Sequence, residues 1–273
     1  MKFTKMHGAG NDFIIINNIE EKIPETEFSS LAKALCTQRM SIGADGMMVV
    51  VPAKNGGDYG MLFFNSDGSL GEMCGNGARC ICRYGYENGL AGETQHVETT
   101  AGLVTGERID SKNYRIRLND ASTVDIHRAV NINSQSYDCA YVELGCPGIP
   151  HAILELDFAA MDKAELRELG RALRFAPEFP KGANVSFVKV VANNIVDIIT
   201  FERGVEDFTL ACGTGCGSAA VALLRRGICG TELRLHAPGG DLRVSLNISG
   251  DEIKDIFLTG PTCMVCIGEV LDR

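Results

Sequence analysis

An internal repeat constrains the fold of this chain more than any other feature of its sequence. Without a gap, a shift of 138 residues (212 − 74) aligns Cys74-Gly75-Asn76-Gly77 with Cys212-Gly213-Thr214-Gly215. Since self-similarity at a fixed period is the signature of a duplicated unit, we interpret the chain as two copies of one domain. The alternative is chance matching among its 31 glycines. The same shift also pairs Gly89 with Gly227, Gly92 with Gly230, Gly102 with Gly240 and Phe63 with Phe201.

Size and charge limit the classes of partner. The chain has 273 residues, of which 45% are hydrophobic, enough for one large core or two smaller ones. Its 35 acidic and 26 basic residues give a net charge of −9. Because this sign opposes binding to phosphate backbones and anionic lipids, we expect neither nucleic acid nor a membrane surface as a partner.

The distribution of apolar residues and cysteines predicts a cytoplasmic protein. No run approaches the roughly 18 consecutive apolar residues of a membrane span, and the first residues lack the apolar core of a signal peptide. The eleven cysteines are an odd number spread from Cys36 to Cys266. A chain of this size folds without disulfides, so this pattern favours a reducing compartment.

Short β-type runs separated by glycine-rich turns predict a fold dominated by strands. Helices are predicted around Phe28 to Leu35, after the capping residue Asp162, and just after Cys74 and Cys212. The polar stretch 119–137 is interpreted as a linker between the copies or a strand crossing between them. The predicted strands cover 13–16, 47–51, 61–64, 185–191 and 196–201.

The two repeated cysteines carry the functional prediction. A helix N-terminus stabilises a thiolate through its unpaired N–H groups and its dipole. Two such thiols in equivalent positions of a duplicated domain indicate a catalytic role far more strongly than a single one would. If the two copies face each other across a cleft, one thiolate removes a proton from one face of a carbon acid and the other thiol delivers a proton to the opposite face. The helix N-termini would stabilise a carboxylate between them.

Other uses of the cysteines and glycines fit less well. Cys263 and Cys266 form one CxxC pair, but the spacing of a zinc ribbon is missing, so we expect no metal. A disulfide oxidoreductase places both cysteines in one short motif. Neither a full dinucleotide fingerprint nor a Walker lysine motif is present, so we expect no cofactor. Among the histidines, His7 and His151 are better site candidates than the other three.

Motifs along the whole chain resemble those of the pyridoxal-phosphate-independent diaminopimelate epimerases. In the first half they are Met6-His7-Gly8-Ala9-Gly10-Asn11-Asp12-Phe13, Ile42-Gly43-Ala44-Asp45-Gly46, Phe64-Asn65-Ser66-Asp67-Gly68-Ser69 and Glu72-Met73-Cys74-Gly75-Asn76-Gly77-Ala78-Arg79-Cys80. In the second half they are Pro150-His151, Gly182-Ala183-Asn184-Val185, Glu202-Arg203-Gly204 and Ala211-Cys212-Gly213-Thr214-Gly215. Proline-racemase relatives typically carry a histidine where Asn76 stands.

The resemblance implies an α+β fold of two pseudo-symmetric domains, each a curved, mainly antiparallel sheet around a central helix. The first domain would comprise residues 1–120 plus 263–273, because the last strand returns to it, and the second residues 121–262. The substrate would be a small molecule, an amino acid, and a homodimer is the expectation at the level of the family.

The resemblance also implies roles for individual residues. Cys74 and Cys212 would be the acid/base pair, assisted by His151 and Glu202. The carboxylate at the reacting carbon would be held by backbone N–H groups, with Asn11 nearby, and the distal end of the substrate by polar side chains. The N–H groups are those of Gly75, Asn76, Gly213 and Thr214, and the side chains are Asn65, Asn184, Glu202 and Arg203.

Two departures from the family pattern leave the substrate open. Ile149 stands where the family usually has asparagine before Pro-His, and Phe208 stands where an acidic residue usually precedes the threonine. Both changes make the expected pocket more apolar. We therefore keep three hypotheses: epimerisation of LL- to meso-diaminopimelate, racemisation of a different amino acid, and a binding protein without turnover. The retained cysteines, His151 and Glu202 argue against the third.

Overall fold

The computed structural model describes residues 1–71, 74–250 and 252–272. Within them the chain forms two compact units, residues 1–116 with 260–273 (unit 1) and residues 117–259 (unit 2). Glu72 and Met73 of the quoted motif, and Asp251 and Arg273 of the predicted domains, lie outside the described residues. None of the described helices is both long and apolar enough to span a bilayer.

Strands outnumber helices in both units. The strands are Lys2–Gly8 (β1), Asn11–Asn17 (β2), Gly46–Val51 (β3), Tyr59–Asn65 (β4), Thr94–Thr99 (β5), Gly102–Arg108 (β6), Asn113–Arg117 (β7), Ala121–Ile132 (β8), Gln135–Leu144 (β9), Ile149–Glu155 (β10), Asn184–Ala192 (β11), Ile195–Glu202 (β12), Asp207–Thr209 (β13), Glu232–Ala237 (β14), Gly240–Ser249 (β15), Glu252–Pro261 (β16) and Cys263–Glu269 (β17). The α-helices are Asn18–Glu21 (α1), Phe28–Cys36 (α2), Gly75–Glu87 (α3), Lys163–Arg174 (α4) and Gly213–Arg225 (α5), with single 3₁₀ turns at Glu25–Glu27 and Phe158–Ala160.

The 138-residue repeat is present in the elements themselves. Shifting α3 by 138 residues gives the bounds of α5, and the same shift carries β2 onto β10 and β5 onto β14. The strand pairings also repeat, since β2–β3 and β10–β11 are parallel, as are β4–β5 and β12–β14. The other described pairings are antiparallel. The interpretation as a duplication is confirmed.

A buried helix lies at the middle of unit 1. Ten of the thirteen residues of α3 are buried, including Arg79. Its core partners come from β1, β2, β3 and β4, among them Met6, Phe13 and Met48. A Cβ on Gly77 would lie 2.4 Å from Met48 Cε, so a larger residue there would require the Met48 side chain to move. β17 pairs antiparallel with β1, which closes this unit with residues from the end of the chain.

Unit 2 repeats this construction with different side chains. Ten of the thirteen residues of α5 are buried, and most are glycine, alanine or small polar residues. A second core packs α4 against β11 and β12 through Leu166, Leu173 and Phe201. The Asp162 carboxylate caps α4 by accepting from the N–H groups of Ala164 and Glu165 at 2.8 and 3.4 Å.

The structure confirms the predicted fold class, the five predicted strands and the four predicted helices. Two details differ. The glycines after each cysteine were expected to form a turn that leads into helices from Ala78 and Gly217, whereas they form the first turns of α3 and α5 themselves. The linker interpretation of 119–137 is wrong. Most of this stretch forms β8, which is largely exposed, so its polarity reflects solvent contact and not missing structure.

Candidate active site

Cys74 lies at the start of α3, in unit 1. Its backbone is extended and caps the helix, and its carbonyl accepts from the N–H of Ala78 at 2.8 Å. The partly buried thiol donates to Asn11 Oδ1 at 3.3 Å, which brings the first residue of β2 to the first residue before α3. Asn11, predicted to lie near the carboxylate of a substrate, is thus in direct contact with this cysteine.

The first turn of α3 is fixed by a buried arginine. Arg79 donates from Nη2 to Asn76 Oδ1 at 2.8 Å and from Nη1 to the carbonyl of Gly75 at 3.3 Å. Arg79 is completely buried and Asn76 is 2% exposed. A buried charge is tolerated only with such hydrogen bonds, so these contacts hold the helix start in one conformation. The role of Arg79 was missed because nothing local to the motif indicated its burial.

Asn65 lies at the end of β4, on the surface of unit 1. Its Nδ2 donates to Ser69 Oγ at 2.9 Å and its N–H donates to the carbonyl of Ser69 at 2.9 Å. These two bonds close the loop that follows the strand, as expected of a turn residue. The structure thus places Asn65 in a defined loop conformation, and its contact with a substrate stays a prediction.

Cys212 occupies the equivalent position before α5, in unit 2. Its Sγ lies 3.6 Å from Thr214 Oγ1, and that hydroxyl lies 3.0 Å from His151 Nε2. Burial raises the pKa of the Cys212 thiol well above its usual value, and the negative charge of Glu202 raises it further. Hydrogen bonds from Thr214 and from the N–H of Gly215 act in the opposite direction. The side chain of Thr214 was not predicted to take part.

Glu202 ends β12 and is partly buried. It accepts from Thr209 Oγ1 at 2.5 Å, which holds its carboxylate in the electrostatic range of Cys212. Phe208, the neighbour of Thr209, packs its ring against Phe187 and Phe201 at centroid distances of 6.2 and 5.7 Å. The ring of Phe208 therefore belongs to the core of unit 2, which removes one of the two observations that indicated a changed pocket.

His151 is completely buried. Burial lowers the pKa of His151 to about 3, and the positive charge of Arg203 contributes to the same direction. The ring is therefore neutral near pH 7, with one nitrogen donating and the other accepting. Nε2 faces Thr214, and Nδ1 has no hydrogen-bond partner among the described residues.

Asn184 and Arg203 form a connected pair in unit 2. Asn184 Nδ2 donates to the carbonyl of Pro150 at 3.2 Å, and its Oδ1 accepts from the N–H of Arg203 at 2.8 Å. The Arg203 side chain is exposed, and its Nη1 donates to the carbonyl of Lys181 at 3.2 Å. Ile149, next to Pro150, is the partly buried first residue of β10.

The structure thus brings the predicted residues together within each unit. In unit 1, Asn11, Gly75 and Asn76 surround Cys74. In unit 2, Thr214, His151 and Glu202 lie beside Cys212, and Cys212, Thr209 and Thr200 line a narrow crevice. A larger groove of about 630 Å³ lies elsewhere in unit 2, between Tyr137, Asp157 and Arg226, and shares no residue with these sets.

Comparisons with known proteins find similar sequences and folds along nearly the whole length of the chain. The sequence model of the diaminopimelate epimerase family matches residues 3–124 and 146–265. The diaminopimelate epimerase of Methanothrix thermoacetophila is 36% identical over 100% of this chain and 97% of that protein. That of Aquifex aeolicus is 32% identical over 100% of this chain and 99% of that protein. A solved PhzF-family phenazine biosynthesis protein from Bacillus anthracis is similar in fold, with a TM-score of 0.75 at 14% identity, over 100% of this chain and 99% of that chain.

The neutral, buried His151 predicts a loss of stability in acid. Its pKa is lowered from 6.5 to about 3, so between these values the unfolded chain binds a proton that the folded protein does not. The stabilisation is complete above about pH 6.5 and is lost as the pH falls towards 3. Replacing His151 by glutamine should reduce the loss in free energy of unfolding between pH 7 and pH 5 by about 2 kcal/mol.

Urea unfolding of both proteins at the two pH values measures this difference. His127→Gln is the control, because it removes an exposed histidine of the same unit that lies 2.9 Å from Asp138 and so shows what the loss of a surface histidine alone contributes. An equal loss in the wild type and in His151→Gln would contradict the prediction.

Proposed function

The chain belongs to the diaminopimelate epimerase family, and from this premise we propose that it interconverts LL- and meso-diaminopimelate by inverting one α-carbon. The observation that carries the proposal is the equivalence of Cys74 and Cys212, each placed directly before a buried helix by the same repeat. Inversion requires a base on one face of the carbon and an acid on the other, and two equivalent thiols supply this pair.

The proposed reaction conserves electrons and protons. One cysteine, as thiolate, takes the α-proton, and the electron pair of the C–H bond moves into the carboxylate, which becomes enediolate-like. The other cysteine, as thiol, returns a proton to the opposite face, so that the two cysteines exchange protonation states. The backbone N–H groups of Gly75, Asn76, Gly213 and Thr214 are proposed to hold the carboxylate, because helix N-termini stabilise negative charge.

Thr214, His151 and Glu202 are proposed to control the protonation of Cys212. The Thr214 hydroxyl lies 3.6 Å from Cys212 Sγ and 3.0 Å from His151 Nε2. It can donate to a thiolate while it accepts from His151 Nε2, so we propose that protons move between Cys212 and His151 through this hydroxyl. Glu202 opposes the thiolate through its charge. When the ammonium group of an amino acid pairs with Glu202, that opposition is reduced, so ionisation of Cys212 becomes coupled to substrate binding.

Asn65, Asn184 and Arg203 are proposed to bind the distal amino-acid group. Arg203 is exposed, and a guanidinium binds a carboxylate through two parallel hydrogen bonds. Asn184 holds the backbone of Arg203 and retains a second N–H on Nδ2 for the substrate. This assignment gives the α-carboxylate and the distal carboxylate separate binding groups.

One observation favours a second candidate, a racemase of a different amino acid. Ile149 precedes Pro150, whose carbonyl positions Asn184, so an apolar side chain lies next to the groups proposed for the distal end. A substrate with a less polar side chain would suit this position. The core location of Phe208 leaves Ile149 as the remaining support for this candidate.

The cellular setting is proposed from the same chemistry. A reaction that depends on two reduced thiols suits the cytoplasm, where thiols stay reduced.

We also propose a homodimer, because the apolar side chains of Val265 and Ile267 on β17 are 55% and 73% exposed. Sedimentation of the protein as a single 29.4 kDa chain would contradict the dimer.

Exchange of α-hydrogen in D₂O tests the proposed activity. With reductant present, proton NMR should show loss of the α-hydrogen signal of LL-diaminopimelate, and no loss for a panel of single L-amino acids. Cys74→Ser and Cys212→Ser should each slow the exchange by at least about 100-fold, since a positioned acid or base contributes about that much. The controls Cys146→Ser and Cys266→Ser replace exposed cysteines and should leave the rate unchanged.

The other outcomes separate the hypotheses. Exchange of another amino acid in place of diaminopimelate would favour the second candidate. Exchange that is unaffected by either serine variant would refute the two-thiol mechanism, and no exchange anywhere in the panel would support a binding protein.

Ile149→Asn should improve binding of diaminopimelate. A side chain that donates and accepts hydrogen bonds at this position is expected to lower KM by about fivefold to tenfold with kcat nearly unchanged, as a hydrogen bond contributes roughly 1 kcal/mol. Steady-state kinetics measure the change, with Ile149→Leu as the apolar control. A KM that stays at the wild-type value would show that residue 149 does not contact the substrate.

A further inference from the structure

A line of hydrogen bonds leads away from Cys74 to a residue with no role in the proposed mechanism. Cys74 Sγ donates to Asn11 Oδ1 at 3.3 Å, and Asn11 Nδ2 donates to Asp45 Oδ2 at 2.5 Å. All three residues belong to unit 1. Asn11 begins β2 and Asp45 directly precedes β3, and these two strands are parallel neighbours. The pairing of the strands therefore places Asp45 beside Asn11.

The carboxylate of Asp45 is held in place from several sides. Its Oδ2 also accepts from the N–H of Asp12 at 3.1 Å, and its own N–H donates to Asp12 Oδ1 at 2.9 Å. Asp12 in turn pairs through Oδ2 with Lys5 Nζ at 2.6 Å, and Lys5 donates to the carbonyl of Gly43. The two acids and the lysine form a network in which Asp45 has one orientation.

The chemistry of these groups fixes the orientation of the Asn11 amide. An ionised carboxylate accepts hydrogen bonds and donates none, so the NH₂ group of Asn11 must face Asp45. The amide oxygen must then face Cys74. Since an amide oxygen only accepts, it stabilises the S–H form of the thiol and disfavours the thiolate.

Unit 2 has no equivalent arrangement. The 138-residue shift places Ile149 at the position of Asn11 and Ala183 at the position of Asp45, and neither side chain forms hydrogen bonds. Cys212 instead contacts the hydroxyl of Thr214, which can donate or accept. The thiol of Cys74 therefore faces a group that only accepts hydrogen bonds, whereas the thiol of Cys212 faces one that can also donate, although the two helices are equivalent.

We propose that Asp45 is a positioning residue which, through the amide of Asn11, holds Cys74 as the protonated thiol before substrate binds. This inference rests on the proposed function, in which Cys74 is one of the two acid/base groups. Under that function, Cys74 begins the reaction as the acid of the pair. Cys212, whose hydroxyl partner can donate to a thiolate, begins it as the base. The duplicated fold would thereby assign opposite starting roles to two equivalent cysteines.

The titratable groups around this line do not provide a competing explanation near neutral pH. Burial raises the pKa of Cys80, which lies on α3 and is affected by the charge of Cys74, to about 12. Burial likewise raises the pKa of Cys36, which lies near Lys5, Asp12 and Asp45, to about 11. Both thiols therefore stay neutral. Among the residues that the structure describes, charged neighbours include Arg79, bound to Asn76, the Lys5–Asp12 pair, and Arg83, whose charge acts on Cys80.

The pH dependence of alkylation tests the inference without requiring turnover. Iodoacetamide reacts with a thiolate, which displaces iodide to form a thioether, so the rate follows the ionised fraction of each cysteine. The tryptic peptide that ends at Arg79 contains Cys74 as its one cysteine, and fragment spectra separate Cys212 from Cys216. The rates at Cys74 and Cys212 are measured on the full chain, without substrate, from about pH 6 to beyond pH 10, because burial raises the pKa of Cys212 well above its usual value.

Asp45→Asn should lower the midpoint of Cys74 alkylation by about one pH unit, because the Asn11 amide is then free to turn and donate to the thiolate. The midpoint of Cys212 should not change. The control is Asp110→Asn, since Asp110 also accepts from an asparagine Nδ2 and from backbone N–H groups in unit 1 but lies in the turn before β7. This control should leave both midpoints unchanged.

A second pair of variants separates orientation of the amide from the charge of Asp45. Asn11→Ala removes the acceptor and should also lower the Cys74 midpoint. Adding Asp45→Asn to Asn11→Ala should produce no further shift, whereas an effect of charge alone would persist in the double variant. An unchanged midpoint in a folded Asp45→Asn protein, or an additive shift in the double variant, would overturn the inference.

The outcome is independent of the proposed activity. If the shifts occur but no diaminopimelate exchanges, the proposed function fails while the control of the thiol by Asp45 stands. If exchange occurs and the midpoints do not move, the function stands and the positioning role is refuted. Circular dichroism of each variant confirms that the comparison is made on folded protein.

Discussion

The burial of one helix in the middle of each unit is the constraint on which the rest of the structure depends. A helix surrounded by strands offers its first turn to a substrate, so the part of the site that the helix itself supplies consists of the residues just before and within that turn. Close contact with the strands also restricts what the turn contains. A Cβ on Gly8 of β1 would lie 2.8 Å from the carbonyl oxygen of Asn76, so the strand touches the helix where Cys74 is held. The Cys-Gly-x-Gly segments are thus required by packing as much as by chemistry.

Within this common frame the two units have diverged through polar substitutions at equivalent positions. Arg79 of α3 corresponds to Gly217 of α5, where a Cβ would lie 2.8 Å from Leu118 Cδ1. Phe13, a core residue of unit 1, corresponds to His151, which reaches Thr214 beside Cys212. Duplication therefore supplied two equivalent thiols, and later substitutions gave each a different set of hydrogen-bond partners.

The sequence predicted the features that depend on periodicity and repetition. The repeat, the strands at 47–51 and 196–201 and the helix capped by Asp162 all follow from local pattern, and the structure confirms them. The features that were missed depend on contacts between distant segments. Arg79 is an ordinary charged residue in the sequence, and its burial arises from the strands around α3. Asp45 was visible as part of a motif, but its contact with Asn11 depends on the pairing of β2 with β3.

The raised pKa of Cys212 bears on how such a site avoids reacting without substrate. Burial and Glu202 both disfavour its thiolate, while Thr214 and the N–H of Gly215 favour it. On the proposed mechanism these opposing effects leave the thiol protonated until the ammonium group of a substrate reduces the influence of Glu202. A thiolate that forms only when substrate is bound is protected from oxidation, because the thiolate and not the thiol is the reactive form. The acid beside Cys212 would thus restrict the reactive form of the cysteine to the complex in which it is needed.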